Sequence, residues 1–199
     1  MVMIGALRLY ANVYINIKIS LYFMEMLSEL FNEVGTFGPI ILIFPSLYLL
    51  RNKNNLFFYY IVGVFINNIF NLILKGFFQQ PRPTIDQKSF DLSFKNGKRF
   101  LFKDGMPYDI FGMPSGHAQA TFFSTIFIYF ALRKKNITYI YLGVSLLTMV
   151  QRVIYCHHTV LQVIVGAITG SVVGYLFYYL ATENVKGIIR EKLDDFGPI

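Results

Sequence analysis

LFFYYIVGVFINNIFNLILKGFFQQPRP (56–83) opens with nineteen residues, 56–74, that carry no charge and no proline, and then meets Lys75, Pro81, Arg82 and Pro83 within nine positions. An apolar run of that length crosses the hydrocarbon core of a bilayer as a helix. The charged, proline-stiffened end marks where the chain leaves lipid. Because the apolar residues are continuous rather than alternating, a membrane barrel is excluded and an all-α architecture follows.

The same pattern recurs on both sides of this block. GPIILIFPSLYLL (38–50) ends at Arg51, AQATFFSTIFIYFAL (118–132) stops at Arg133, Lys134 and Lys135, ITYIYLGVSLLTMV (137–150) stops before Gln151 and Arg152, and TVLQVIVGAITGSVVGYLFYYLA (159–181) runs into a charged tail. Some blocks span only with a few flanking residues added. The N-terminal segment, 1–32, is interrupted by Arg8, Asn12, Asn16 and Lys18, and suits an interfacial amphipathic helix as well as a further span. A cleaved signal peptide fits poorly, since no small-residue cleavage site follows a compact apolar region. The expectation is a single domain over 1–199, a multi-pass transmembrane helical bundle of five to six spans. Its mean hydropathy of +0.50 is too high for a soluble domain of 199 residues.

The net charge of +7 has a simpler source than nucleic-acid binding, which is not expected. Arg51 and Lys53 share one short loop, Arg133, Lys134 and Lys135 another, and Lys186, Arg190 and Lys192 lie in the 182–199 tail. Counting spans puts all three on one side, cytoplasmic by the positive-inside rule. The 76–114 segment and the 151–158 turn then share the opposite, lumenal or extracytoplasmic, face. Cys156 is the single cysteine, so neither an internal disulfide nor a cysteine-based metal site is available.

On that opposite face the polar residues fall in three clusters. Lys75 and Arg82 bracket a proline-stiffened turn, and two fixed cations suit an oxyanion such as phosphate. The same pair also suits a plain interface anchor. Pro114, Ser115, Gly116 and His117 open a span with an N-cap serine, and a helix N-terminus is an anion site. His117, in the first turn, has the place of a proton donor, or of an interfacial histidine on an ordinary capped helix. Arg152 precedes His158 by six residues, and His158 and Gln162 are spaced to share one helix face. Gly166, Gly170 and Gly174 continue that face at four-residue steps and let helices pack closely, so it points inward. His157 lies about 100° around and is not expected to take part directly. Asn67, Asn68 and Asn71 suggest interhelical hydrogen bonds rather than a transport path.

Together the clusters resemble the three motifs of the type 2 phosphatidic acid phosphatase (PAP2) superfamily, K-x6-RP, PSGH and SR-x5-H-x3-D, over residues 56–175. The resemblance implies a phosphatase core (56–181) in which His158 is the nucleophile and forms a phosphohistidine, and His117 is the general acid. It implies that Lys75, Arg82, Ser115, the Gly116 N–H and Arg152 bind the phosphoryl oxygens, with no metal and no other cofactor. Gln151 stands where that pattern has serine, and nothing in the sequence accounts for it. Gln162 stands where it has the aspartate that orients the nucleophile. An amide oxygen accepts the same imidazole N–H but brings no charge.

HT-x2-QV-x2-G resembles the third motif of dolichyldiphosphatases, and glucose-6-phosphatases similarly carry glutamine there. The FGMPSGHAQ context is also similar to the sphingosine-phosphate phosphatases. The expected activity is hydrolysis of a lipid phosphate or diphosphate at the non-cytoplasmic face, with a dolichyl-type polyprenyl diphosphate favoured. The membrane would be the endoplasmic reticulum in a eukaryote, and the inner or plasma membrane in a prokaryote. Phosphatidate, sphingosine phosphate or glucose 6-phosphate are alternative substrates, and a non-catalytic lipid-binding relative is the competing class. The 76–114 segment is expected either to cover the site as a lid on the bilayer surface or merely to connect two spans.

Overall fold

The computed structural model describes the backbone of residues 2–103 and 106–183 and the side chains of residues 18–102 and 108–183. The side chains of Arg8, Asn12 and Asn16 and the charged tail therefore lie outside the described residues. In chain order the elements are α1 (Val2–Leu50), α2 (Asn54–Phe78), α3 (Gln87–Lys95), β1 (Phe100–Lys103), β2 (Met106–Asp109), α4 (Gly116–Leu132), α5 (Lys135–Ile154) and α6 (Val160–Glu183).

The N-terminal segment and the 38–50 block, read separately from sequence, form one helix that runs through Pro39 and Pro45. Among the described residues, four helices are long and apolar enough to cross a membrane: Lys18–Leu50, Asn54–Phe78, Lys135–Ile154 and Val160–Glu183. The fifth apolar block becomes α4, whose 17 residues reach about 25 Å, the lower edge of what a bilayer needs. The expected five to six spans thus resolve into four long ones and this shorter helix.

α4 occupies the middle of the bundle and packs against α1, α2, α5 and α6. Its closest partner is α6, and the glycines explain why. A Cβ added at Gly166, Gly170 or Gly174 would lie 2.5, 2.0 or 2.6 Å from the carbonyl oxygens of Ser115, Gln119 or Phe123. Only glycine permits that approach, and the four-residue glycine face does point inward. On the opposite flank Gly35 and Gly38 of α1 meet Gln151 and Thr148 of α5.

Several polar groups inside the bundle are paired across helices, as burial in lipid favours. Gln119 donates to Asn67 Oδ1 (2.9 Å) and accepts from Asn71 (2.8 Å), while Tyr60 and Ser124, and Thr125 and Ser145, each share a hydrogen bond of 2.8 Å. Asn67 and Asn71 are therefore interhelical ties. Asn68 is exposed and, among the described residues, donates to Val64 O of its own helix rather than across to another.

Lys53 donates to the Ala131 carbonyl, so the α1–α2 loop and the end of α4 share one end of the bundle. The end of α2, the starts of α4 and α6 and the end of α5 form the other. There, residues 79–115 are not a bare loop. Asp86 caps α3 by accepting from the Ser89 N–H at 2.9 Å, and β1 and β2 pair antiparallel with Leu101 opposite Tyr108. Phe90, Ile110 and Phe111 form a small core beneath them, with Ile85 and Leu101 against it. This hairpin is the one departure, among the described residues, from the expected all-α architecture.

Candidate active site

Every site residue expected from sequence gathers at that second end. α2 closes with Gln79 in the left-handed conformation (φ 49°), its N–H bonded to the Lys75 carbonyl. The chain then turns back, and Pro81 pairs with Phe111 in an isolated bridge, with the Gly112 N–H donating to Gln80 O at 2.7 Å. Residues 80–82 and 109–112 are thereby laid side by side. Lys75, 4 % exposed, donates to the Phe111 carbonyl and stands 3.9 Å from Asp109 Oδ2. Arg82 donates through Nε to the Asp109 carbonyl (2.7 Å), which leaves Nη1 3.5 Å from His158 Nε2.

α5 ends in a Schellman motif. The Cys156 N–H donates to Val153 O and the His157 N–H to Arg152 O, both at 3.0 Å, and Cys156 takes the left-handed cap position (φ 54°). The His158 N–H also reaches Arg152 O at 3.1 Å, which gives the six-residue spacing its physical basis. His158 lies two residues ahead of α6, not on its face as the i, i+4 reading supposed. Thr159 is the N-cap, and with Gln162 it makes a capping box. The Gln162 N–H donates to Thr159 Oγ1 and the Thr159 N–H to Gln162 Oε1, each at 3.2 Å.

Two oxygens face His158 Nδ1: the Gly112 carbonyl at 2.8 Å and Gln162 Oε1 at 3.2 Å. Both are acceptors, so Nδ1 carries the proton and Nε2 keeps its lone pair toward Arg82. The nearer orienting group is thus a backbone carbonyl, and Gln162 is a tie, its Nε2 donating to Pro81 O at 3.0 Å. Burial pushes the His158 pKa well below the ordinary histidine value, and the charges of Arg82, Lys75 and Arg152 push it further. The imidazole is neutral at pH 7 and nucleophilic. Burial also lowers Arg82 somewhat from its usual value.

The Ser115 N–H donates to Gln162 O at 2.9 Å, joining the starts of α4 and α6. Ser115 precedes the helix, but its hydroxyl makes no capping bond, contrary to the sequence expectation. Ser115 Oγ and Arg152 Nε are buried without a hydrogen-bond partner among the described residues. Unpaired buried donors beside two other cations are what an oxyanion site requires. His117 Nε2 lies 3.1 Å from the Thr36 carbonyl of α1, an acceptor, so Nε2–H points there and Nδ1 is the atom left for chemistry. The His157 ring stacks on Tyr155.

Sequence reasoning missed Asp109, Arg99, Gly112, Thr36 and the setting of Gln151. Asp109 takes Arg99 at 2.9 Å and the Phe111 N–H at 3.0 Å. Gln151, fully buried, packs on Gly35 and donates to Asn32 Oδ1 at 2.8 Å. It ties α5 to α1, which accounts for a bulky amide at that position.

Comparison with known proteins gives three findings. The PAP2 superfamily matches residues 56–186. Over 141 residues the chain is 33 % identical to a dolichyldiphosphatase of Saccharomyces cerevisiae, a stretch covering 65 % of this chain and 51 % of that protein, so the chain spans about half the length of that relative. The crystal structure of Aquifex aeolicus LpxE superposes with a TM-score of 0.57 at 24 % identity, covering 77 % of this chain and 86 % of that one, and so shares the fold.

Proposed function

The chain belongs to the PAP2 superfamily, and on that premise we propose that it is an integral-membrane phosphatase acting on a lipid phosphate or diphosphate. A polyprenyl diphosphate of dolichyl type is the favoured substrate. The observation that carries the reading is the neutral His158 Nε2 facing Arg82, with Lys75 close by and Arg152 Nε and Ser115 Oγ unpaired. The match to dolichyldiphosphatase, together with Gln162 in the third motif, supports the substrate class.

In the proposed reaction the phosphoryl oxygens rest on Lys75, Arg82, Arg152, the Ser115 hydroxyl and the Gly116 N–H. The Nε2 lone pair of His158 attacks phosphorus, the N–P bond forms and the bond to the leaving oxygen breaks. That oxygen takes the Nδ1 proton of His117 in its imidazolium form, while the Nε2–H stays on the Thr36 carbonyl. Water then attacks the phosphohistidine, giving its proton back to His117, and the N–P bond breaks to release inorganic phosphate. The basic end with Arg51, Lys53, Arg133, Lys134 and Lys135 would be cytoplasmic, which puts the site on the lumenal or extracytoplasmic face.

The test is phosphate release by detergent-solubilised protein on polyprenyl diphosphate, phosphatidate, sphingosine phosphate and glucose 6-phosphate, with brief trapping of ³²P on the protein. An acid-labile label lost in His158→Ala, with polyprenyl diphosphate turned over best, is expected. Equal release by wild type and His158→Ala rejects the nucleophile. Substrate binding without any release marks a non-catalytic lipid-binding relative.

A further inference from the structure

The insertion between α2 and α4 carries an apolar surface that the proposed chemistry does not use. In β1 the two-residue period sends Leu101 inward to the Phe90, Ile110 and Phe111 core. It sends Phe100 and Phe102 outward, 52 % and 76 % exposed. A strand that turns aromatic residues outward on its free face is unfavourable in water and marks a surface made for an apolar neighbour.

The neighbour follows from where the hairpin sits. Arg99, just before β1, donates through Nη2 to the Leu72 carbonyl at 3.0 Å, and its Nη1 would be 3.6 Å from a Cβ on Gly76. Leu72 lies six residues before the end of α2, about 9 Å along the helix. The Arg99 side chain therefore ties the base of the hairpin to the last turns of α2. On α2 the adjoining row is Ile73 and Phe77, 61 % and 79 % exposed, a row that faces lipid. Two exposed apolar surfaces, the outward face of β1 and this row of α2, thus flank the Arg99 tie.

We propose that the insertion is an interfacial anchor, with Phe100 and Phe102 inserted into the outer part of the leaflet beside α2. The occupant of this surface is the bilayer itself, not a protein partner. The inference rests on α2 spanning a membrane and needs no catalytic activity, so it stands or falls separately from the phosphatase reading.

The chain contains no tryptophan, so Phe102→Trp or Phe100→Trp in the full-length protein supplies a single indole reporter. Each variant is reconstituted in phosphatidylcholine vesicles, with and without bromines on the acyl chains near the headgroup. A Phe44→Trp variant, on the exposed face of α1, is the reference within a span. Emission shifted to the blue of free tryptophan and at least twofold quenching by the shallow bromines at both hairpin positions is the expected result. Water-like, unquenched emission from the hairpin reporters, alongside a Phe44→Trp reporter quenched by deeper bromines, overturns the proposal. Blue-shifted emission that bromine leaves untouched overturns it too, because it means a protein surface covers the strand.

Discussion

At the scale of single residues, the question raised by Gln162 has a geometric answer. The proton on His158 Nδ1 is held first by the Gly112 carbonyl, so a carboxylate at position 162 is not the only way to fix the tautomer. Gln162→Asp should change kcat by no more than a few fold, and it forfeits the bond to Pro81. Gly112→Ala should be worse, because its Cβ would lie 2.6 Å from Gln162 Oε1 and push aside a buried amide that also holds the Pro81 carbonyl and the Thr159 N–H, on the residue whose own carbonyl orients His158. A misplacement of about 1 Å lowers kcat by roughly 10²-fold; steady-state kinetics of the two variants checks the ordering. Burial of a neutral His158 also has a signature in pH. Its pKa in the fold is below the unfolded value of about 6.5. Above that pH neither state binds the proton, and below it only the unfolded chain does. Stability should therefore fall as pH drops below about 6.5, by up to roughly 1.4 kcal/mol per unit from this residue. Thermal melts of wild type and His158→Gln at pH 7.5 and 5 should show the smaller loss in the variant. The side chains that carry charge were legible in the sequence because lysine, arginine and histidine stand out against apolar runs. Gly112 and Thr36 were not, since they act through carbonyls that every residue owns and lie 46 and 81 positions from their histidines.

At the scale of elements, what matters is how closely α4 and α6 approach. Gly170→Ala would put a Cβ 2.0 Å from the Gln119 carbonyl, and overpacking against backbone costs about 2 kcal/mol or more. Gly143→Ala on α5 meets nothing within 4 Å and should stabilise by about 0.5–1 kcal/mol through helix propensity. Denaturation in detergent of the two variants checks the contrast. The four-residue glycine spacing was readable in advance, as were the apolar blocks. The helix–strand content of 79–115 was not: Phe100–Lys103 and Met106–Asp109 are four residues each, too short for a period to declare itself. Nor did the sequence place His158 outside α6, because an i, i+4 spacing looks the same whether the chain is already helical or held by a capping box.

At the scale of the whole molecule, the separation of a basic end from a site end makes orientation measurable. Cys156 is the single cysteine, exposed, and set in the turn between Arg152 and His158. A membrane-impermeant maleimide added to sealed cells or vesicles should label it only from the non-cytoplasmic side. Labelling from the cytoplasmic side would reverse the topology drawn from the loop charges. The family motifs and the ends of the spans made this layout legible, whereas the joining of 1–32 and 38–50 into one helix was hidden by the polar and proline residues that interrupt them.

The Asp109 carboxylate is shared, binding Arg99 of the insertion on one side and approaching Lys75 of the site on the other, while its own carbonyl holds Arg82. The insertion is therefore not an exchangeable cassette. Grafting the 84–108 segment of a relative into this chain, even with all three motifs intact, would remove Arg99 and leave the Asp109 carboxylate without the cation that holds it between the insertion and the site, and activity should return only when the graft carries an arginine at position 99.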